Sequence, residues 1–380
     1  MMKRFSHALS AFLFCCTVTF AQYPGSRYLP EVSGDRVRFE IKAPRASEVK
    51  LYGDFLPGVN EYGTGGSVAM EKQADGVWTY TASGLAPDFY FYYFEVDGVK
   101  VLDPWNLKLV CNYSEFYNSF LIEGEGSVRL AYAEKQGTVE TRWYDSPEYG
   151  GQRRLKVYLP AAYSPARAYP VLYMIPGGGD DEATWIDMGR LPQIMDHMLA
   201  FGEIVPMIVV MVNAMPNQLA APHVMNPIPG KKSHFELMGS PEGASGGAFC
   251  DDFVRNIIPY VEKHYSVIPH RAFRAVCGVS MGGVYEMTLL RRNADLLGTF
   301  AFMGTGLMGA GGADALASVG KDWQFWIGAG SQDIAFRSAK NLMDALDRAG
   351  IPYTYYDSGE AHNWRSWRRN LQQLLPCLFR

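Results

Sequence analysis

A chain of 380 residues, 48% of them hydrophobic, exceeds one ordinary domain and has ample material for two cores. Lys and Arg number 35 against 39 Asp and Glu, a net charge of -4 without a basic run, which gives no electrostatic case for nucleic acid or anionic lipid. Small-molecule or neutral polymer substrates fit this balance, no metal or other cofactor is called for, and no apolar run beyond the first residues is long enough to span a bilayer.

The opening stretch, MMKRFSHALSAFLFCCTVTFAQ, carries charges at Lys3 and Arg4, an apolar stretch from Ala8 and a small residue at Ala21. This is the pattern of a secretory signal cut after Ala21, and it predicts a mature chain that is secreted or periplasmic. A lipoprotein anchor at Cys15 or Cys16 is the alternative, although Phe14 stands where a small residue is wanted. Cys111, Cys250, Cys277 and Cys377 have no zinc-site spacing; each reads as a buried free thiol, with pairing in an oxidising compartment left open.

From Val32 to Ile122 short alternating runs such as VRFEIKA, SEVKLYG and FYFYYFEVDG are punctuated by Gly, Pro and Asp. That spacing predicts an all-β, immunoglobulin-like sandwich over residues 22–129. A polar stretch rich in Gly and Glu, 123–154, sets the domain boundary near Leu130. Beyond it the apolar runs VLYMI, PMIVVMV, FRAVC, TFAFMG and QFWIG alternate with longer helix-like stretches. Residues 130–380 therefore read as an α/β domain with a mostly parallel sheet and helices on both faces.

Within that domain CGVSMGG places Ser280 between Gly278 and Gly282, after a buried-strand run and before helix-like VYEMTLLRR. Strand, serine, helix is the order of a nucleophile elbow, in which small neighbours let the hydroxyl stand exposed. An unassisted hydroxyl is a poor nucleophile, so a base must follow, and His362 is the histidine downstream of the serine. An orienting carboxylate must come from a separate loop; Asp333, after the run QFWIG, fits this, with Asp357 as its rival. Asp322, Asp344 and Asp347 fall at the wrong end of their elements. Oxyanion donors are expected from the amide of Met281 and from the glycine loop Gly177, Gly178 and Gly179.

Together YPVLYMIPGGGDDEATW, IIPYVEKHY, CGVSMGG, IGAGSQD and AHNWRSWRRNLQQLLP resemble carbohydrate esterase family 1, the group of feruloyl and acetylxylan esterases on the α/β-hydrolase fold. The resemblance implies Ser280 as nucleophile, His362 as base, Asp333 as orienting acid, and Met281 with Gly178 or Gly179 as oxyanion donors. The family usually has His before its glycines, and here Pro176 replaces it, which puts the loop's shape in question. The N-terminal stretches APRASEVKLYGDF and DPWN resemble the early-set sandwich related to carbohydrate-binding module family 48, an auxiliary role. The implied substrate is an acylated polysaccharide such as feruloylated arabinoxylan; acetylxylan hydrolysis, acyl transfer to an alcohol and an inactive carbohydrate-binding protein are the alternatives. Trp185, Trp364 and Phe235 are candidates to pack an aromatic acyl group, while Trp364 and Trp367 also have the spacing of core residues. The segment after Val212 is expected to wall the site or to be a solvated insert.

Overall fold

The computed structural model describes residues 30–60, 65–112, 115–214, 246–307, 316, 319–320 and 322–380. The expected signal segment, Phe235 and most of the segment after Val212 lie outside the described residues.

Two antiparallel sheets come first. One contains β1 (Glu31–Ser33), β2 (Arg36–Lys42), β5 (Glu71–Lys72) and β6 (Val77–Ala82); the other contains β3 (Val49–Gly53), β4 (Ser67–Ala69), β7 (Phe89–Val96), β8 (Val99–Val101), β9 (Leu109–Asn112) and β10 (Glu115–Leu121). Alternation along the strands decides which face is inside: in β2, Val37, Phe39 and Ile41 are buried while Arg36, Arg38 and Lys42 are exposed. These residues meet Leu51, Tyr92, Phe94 and Phe120 of the facing sheet in one core. Strand β7 is apolar on both faces. Tyr90, Tyr92 and Phe94 point into the sandwich, whereas Phe89 and Phe91 pack into a core shared with the C-terminal part of the chain.

That part is built on an eight-stranded sheet in the order β11-β12-β14-β13-β15-β16-β17-β18, comprising β11 (Thr138–Ser146), β12 (Gly151–Leu159), β13 (Val171–Ile175), β14 (Ile208–Met211), β15 (Arg274–Val279), β16 (Thr299–Met303), β17 (Gln324–Gly328) and β18 (Tyr353–Tyr356). The neighbours from β14 to β18 pair in parallel, and β11 and β12 are antiparallel at one edge. Strands β13 and β16 are buried along their whole length, as their uninterrupted apolar runs require.

Helices cover both faces. On one lie α1 (Thr184–Asp187), α2 (Leu191–Ala200) and, at the chain end, α7 (Trp364–Leu374); on the other lie α3 (Gly247–Asp252), α4 (Ile258–His264), α5 (Met281–Asn293) and α6 (Phe336–Ala349). Helix α7 buries Trp364, Trp367, Leu371 and Leu374, a stripe at helical spacing. The sandwich docks on this α7 side, through Phe89, Phe91, Val110 and Tyr117. Among the described residues no helix is long and apolar enough to cross a membrane. Cys250 and Cys277 are buried free thiols; Cys111 is half-buried, and Cys377 departs from the expectation in being exposed.

Candidate active site

The turn from β15 into α5 carries the first candidate. Ser280 adopts φ 51 and ψ -116, a region that a residue with a side chain rarely enters and that costs about 1–3 kcal/mol. Its N-H donates to the carbonyl of Met303 on the neighbouring strand at 2.9 Å, which helps to hold the strained turn. Strand and helix meet so closely here that a Cβ on Gly278 would fall 2.6 Å from the backbone of Gly282. One on Gly282 would fall 2.5 Å from the carbonyl oxygen of Pro176. Glycine at both positions is thus a steric requirement of the elbow.

His362 lies in the loop between β18 and α7, and Asp333 in the loop after β17, both beyond the carboxyl ends of parallel strands. The imidazole Nε2 is 2.9 Å from Ser280 Oγ, and Nδ1 is 2.8 Å from Asp333 Oδ1. Asp333 Oδ1 also accepts the N-H of Ala335 at 2.7 Å, which fixes the carboxylate. His362 and Asp333 are both buried, and the edge of Trp367 stands against the imidazole at 5.3 Å between ring centroids. The structure therefore brings Ser280, His362 and Asp333 into one hydrogen-bonded line. Asp357 is engaged elsewhere, accepting the N-H groups of Ser331 and Gly359. Asp322 pairs with Arg271 and Asp344 with Lys340, while Asp347 accepts from the Tyr353 hydroxyl.

The glycine loop lies against the serine. A Cβ on Gly177 would be 3.7 Å from Ser280 Cβ, and one on Gly178 would be 3.5 Å from the Met281 side chain. Gly179 has φ 82, so the loop turns there through a conformation suited to glycine. Met281 is the first residue of α5, where an amide has no acceptor within the helix. The start of α5 and the glycine loop thus lie side by side at Ser280. Downstream, the loop is pinned by Glu182, whose fully buried carboxylate meets Arg154 and accepts Asn213 Nδ2 at 2.9 Å. Arg153 closes this network by donating to the carbonyl of Asn213 at 2.7 Å.

Two findings depart from the sequence reading or add to it. Trp185 is 1% exposed and packs edge-on against Trp364, 5.3 Å between centroids, so it is core and unavailable to a ligand. Trp364 is 5% exposed, donates its Nε1 to Asn112 Oδ1 at 2.9 Å, and lines a cleft beside the sandwich. Position next to a functional loop marked both tryptophans as candidates, and both lie in the core shared with the sandwich. Glu286 of α5 was not anticipated. Its Oε2 accepts the Gly278 N-H at 2.7 Å behind the elbow, and burial pushes its carboxyl well above the usual range against the pull of that N-H. The signal available was an acidic residue on the otherwise apolar inner face of a helix.

Residues 146–308 match the family model described as "Putative esterase". A curated relative, the "Endo-1,4-beta-xylanase/feruloyl esterase" of Xylanibacter ruminicola, is 26% identical over 372 residues, which is 94% of this chain and 46% of that protein. The "Endo-1,4-beta-xylanase Y" of Acetivibrio thermocellus is 25% identical over 217 residues, 54% of this chain and 16% of the relative. The chain thus spans less than half the length of either curated relative. Among solved structures, a CE1 ferulic acid esterase from Anaeromyces mucronatus superposes with a TM-score of 0.55 at 20% identity, covering 66% of this chain and 95% of its own. The enterobactin esterase of Shigella flexneri superposes with a TM-score of 0.65 at 13% identity, covering 90% of this chain and 92% of its own. At such identities these likenesses establish the α/β-hydrolase fold.

Proposed function

We propose that the chain is a serine carboxylic ester hydrolase working through an acyl-enzyme, a reading supported by the match of residues 146–308 to an esterase family model. The observation that carries this reading is the line from Ser280 Oγ through His362 to Asp333, with contacts of 2.9 and 2.8 Å, at a strained turn. In the proposed reaction His362 Nε2 takes the proton of Ser280 Oγ as the oxygen attacks the ester carbonyl. Asp333 holds the imidazole through Nδ1 and stabilises the imidazolium that forms. The developing oxyanion is met by the amide of Met281 and by Gly178 or Gly179, preorganised backbone dipoles of the kind that contribute most to acyl transfer. Collapse expels the alcohol, which receives its proton from His362, and water then repeats the sequence to release the acid.

The substrate we propose is an aromatic acyl ester on a plant polysaccharide, with a feruloyl group favoured over acetyl. The relative matched over 94% of this chain, whose name includes feruloyl esterase, supports this choice. The same proposal takes 130–380 as the esterase unit, 22–129 as an attached sandwich, and the leader ending at Ala21 as an export signal. The test is the ratio of kcat/KM for methyl ferulate to that for methyl acetate, which reports differential transition-state binding. A ratio well above one is expected. A ratio below one moves the substrate to an acetylated glycan, and no turnover of either, nor of an activated aryl ester, overturns the enzyme reading.

A further inference from the structure

Behind the elbow lies an acid that the reaction above leaves unused. Glu286 is fully buried on α5 amid Tyr285, Met287, Leu289 and Leu290, which all enter one apolar core. Burying a polar group in such surroundings costs free energy unless it is hydrogen-bonded, and more if it is charged. Here the satisfaction is partial. Oε2 accepts the Gly278 N-H at 2.7 Å, the Ala301 N-H draws on the same carboxyl, and Oε1 has no hydrogen-bond partner among the described residues. An apolar side chain of the same size would pack here at lower cost, so the value of the acid lies in what it holds.

Gly278 stands two residues before Ser280, where the first turn of α5 presses against β15. Ala301 lies on β16 opposite Cys277, two residues before Met303, whose carbonyl accepts the Ser280 N-H. The next residue, Gly304, backs the other two members of the line: a Cβ there would fall 2.9 Å from Asp333 Oδ2 and 3.2 Å from His362 Nδ1. One carboxyl thus engages both strand ends that set where the hydroxyl stands relative to the imidazole. Ser280 holds a strained φ of 51, and such strain persists only where the surroundings over-determine it. Tolerance at the reacting atoms is small, since a misplacement of about 1 Å can cost about 10²-fold in rate.

We propose that Glu286 is a positioning residue: by accepting the Gly278 N-H, its carboxyl fixes the elbow in the setting where Ser280 Oγ meets His362 Nε2. The inference rests on the esterase reading above and adds a residue that acts through Gly278 rather than on the substrate. Glu286→Gln keeps an acceptor for that N-H, whereas Glu286→Met fills similar space without one. Both variants are compared with wild type by circular dichroism, and by steady-state kinetics on whichever of methyl ferulate and methyl acetate the wild type turns over faster. Acylation and deacylation both pass through the contact between Ser280 and His362, so we expect Glu286→Met to lose about thirtyfold in kcat with KM within about twofold. Glu286→Gln should keep kcat within about threefold. Folded Glu286→Met with kcat within about threefold of wild type overturns the proposal, as does a loss carried by KM instead of kcat, or a glutamine variant that loses as much as the methionine one. Should Glu286→Met not fold, Glu286→Ala replaces it under the same criteria; failure of both to fold beside a folded Glu286→Gln would show that the acceptor serves folding alone, and overturns the proposal as well. Failure of the esterase reading has a separate signature, namely wild-type protein that hydrolyses neither methyl ester nor an activated aryl ester.

Discussion

The turn at Ser280 and the seam at Arg368 both join remote parts of the chain in buried surroundings, but the means differ. At the turn the backbone does the holding: a serine at φ 51, glycines where any Cβ would collide, and the N-H of Ser280 tied to Met303. At the seam side chains do it. Arg368, on α7, donates to Asp88 Oδ1 at 2.8 Å, to the carbonyl of Phe89 at 2.9 Å and to that of Met188 at 3.1 Å. Arg365 adds a second cation beside Asp88. Burial pushes the Asp88 carboxyl up, but Arg368, the Phe89 N-H and Arg365 outweigh it and hold the group below its usual range. A backbone-held site demands particular small residues close in sequence, whereas a seam held by ion pairs demands partners hundreds of positions apart. The first leaves a motif; the second leaves none.

The largest expected effect breaks the turn's chemistry and spares its shape. Ser280→Ala should fold as wild type and lose about 10³-fold or more in kcat, since only the hydroxyl is removed. Circular dichroism with steady-state kinetics checks this, and activity within about tenfold of wild type would make Ser280 structural.

Asp333→Asn should cost about 10³–10⁴-fold in kcat, because the imidazolium loses its partner and the ring its tautomer. Asp357→Asn, which alters only contacts to Ser331 and Gly359, should stay within about threefold. Measuring both variants side by side separates the orienting acid from its neighbour in the adjacent loop; the reverse order would transfer the role.

At the seam, Arg368→Met should destabilise the protein by about 3–5 kcal/mol, because Asp88 stays buried with one cation fewer. Urea denaturation of the full chain reads this out. A loss under about 1 kcal/mol would show that the apolar contacts of Phe89 and Phe91 suffice.

The smallest effect sharpens the comparison through pH. Burial raises the Asp54 carboxyl to about 7, although the Phe91 N-H, Arg365 and Arg368 pull it down and Asp88 adds to the rise. The folded protein thus holds a proton that the unfolded chain, titrating near 4, has released, so stability falls as pH rises from about 4 to 7 and stays lower above. Asp54→Asn lacks this penalty. Its Tm should match wild type near pH 4 and exceed it by a few degrees at pH 8. A constant difference across that range would show that Asp54 does not titrate between the two limits.

The order of strands and helices was readable because period and run length are local properties. Val37, Phe39 and Ile41 alternate into a core, and VLYMI is apolar throughout because both its faces are covered. The hydrogen-bonded serine, histidine and aspartate were readable because the elbow pattern and the order of its expected partners place each on a loop after a strand. Trp185 misled for a reason of the same kind. A residue's place in the chain tells which loop it adjoins, but not which surface closes over it, and Trp185 is closed over by Trp364 and the sandwich side of the shared core.

By itself the sequence determined two textures of fold, the elbow and the identity of its partners, since these follow from local periodicity and from backbone geometry that few residues can satisfy. Tertiary structure alone decided the rest. Strand β7 shows apolar side chains on both faces, yet only the assembled chain shows that its outer face meets α7 and that Asp88 and Arg368 join there. The reason is physical. Burial and ion pairing depend on distances between segments that are remote along the chain, and no local pattern records which distant group will become the neighbour.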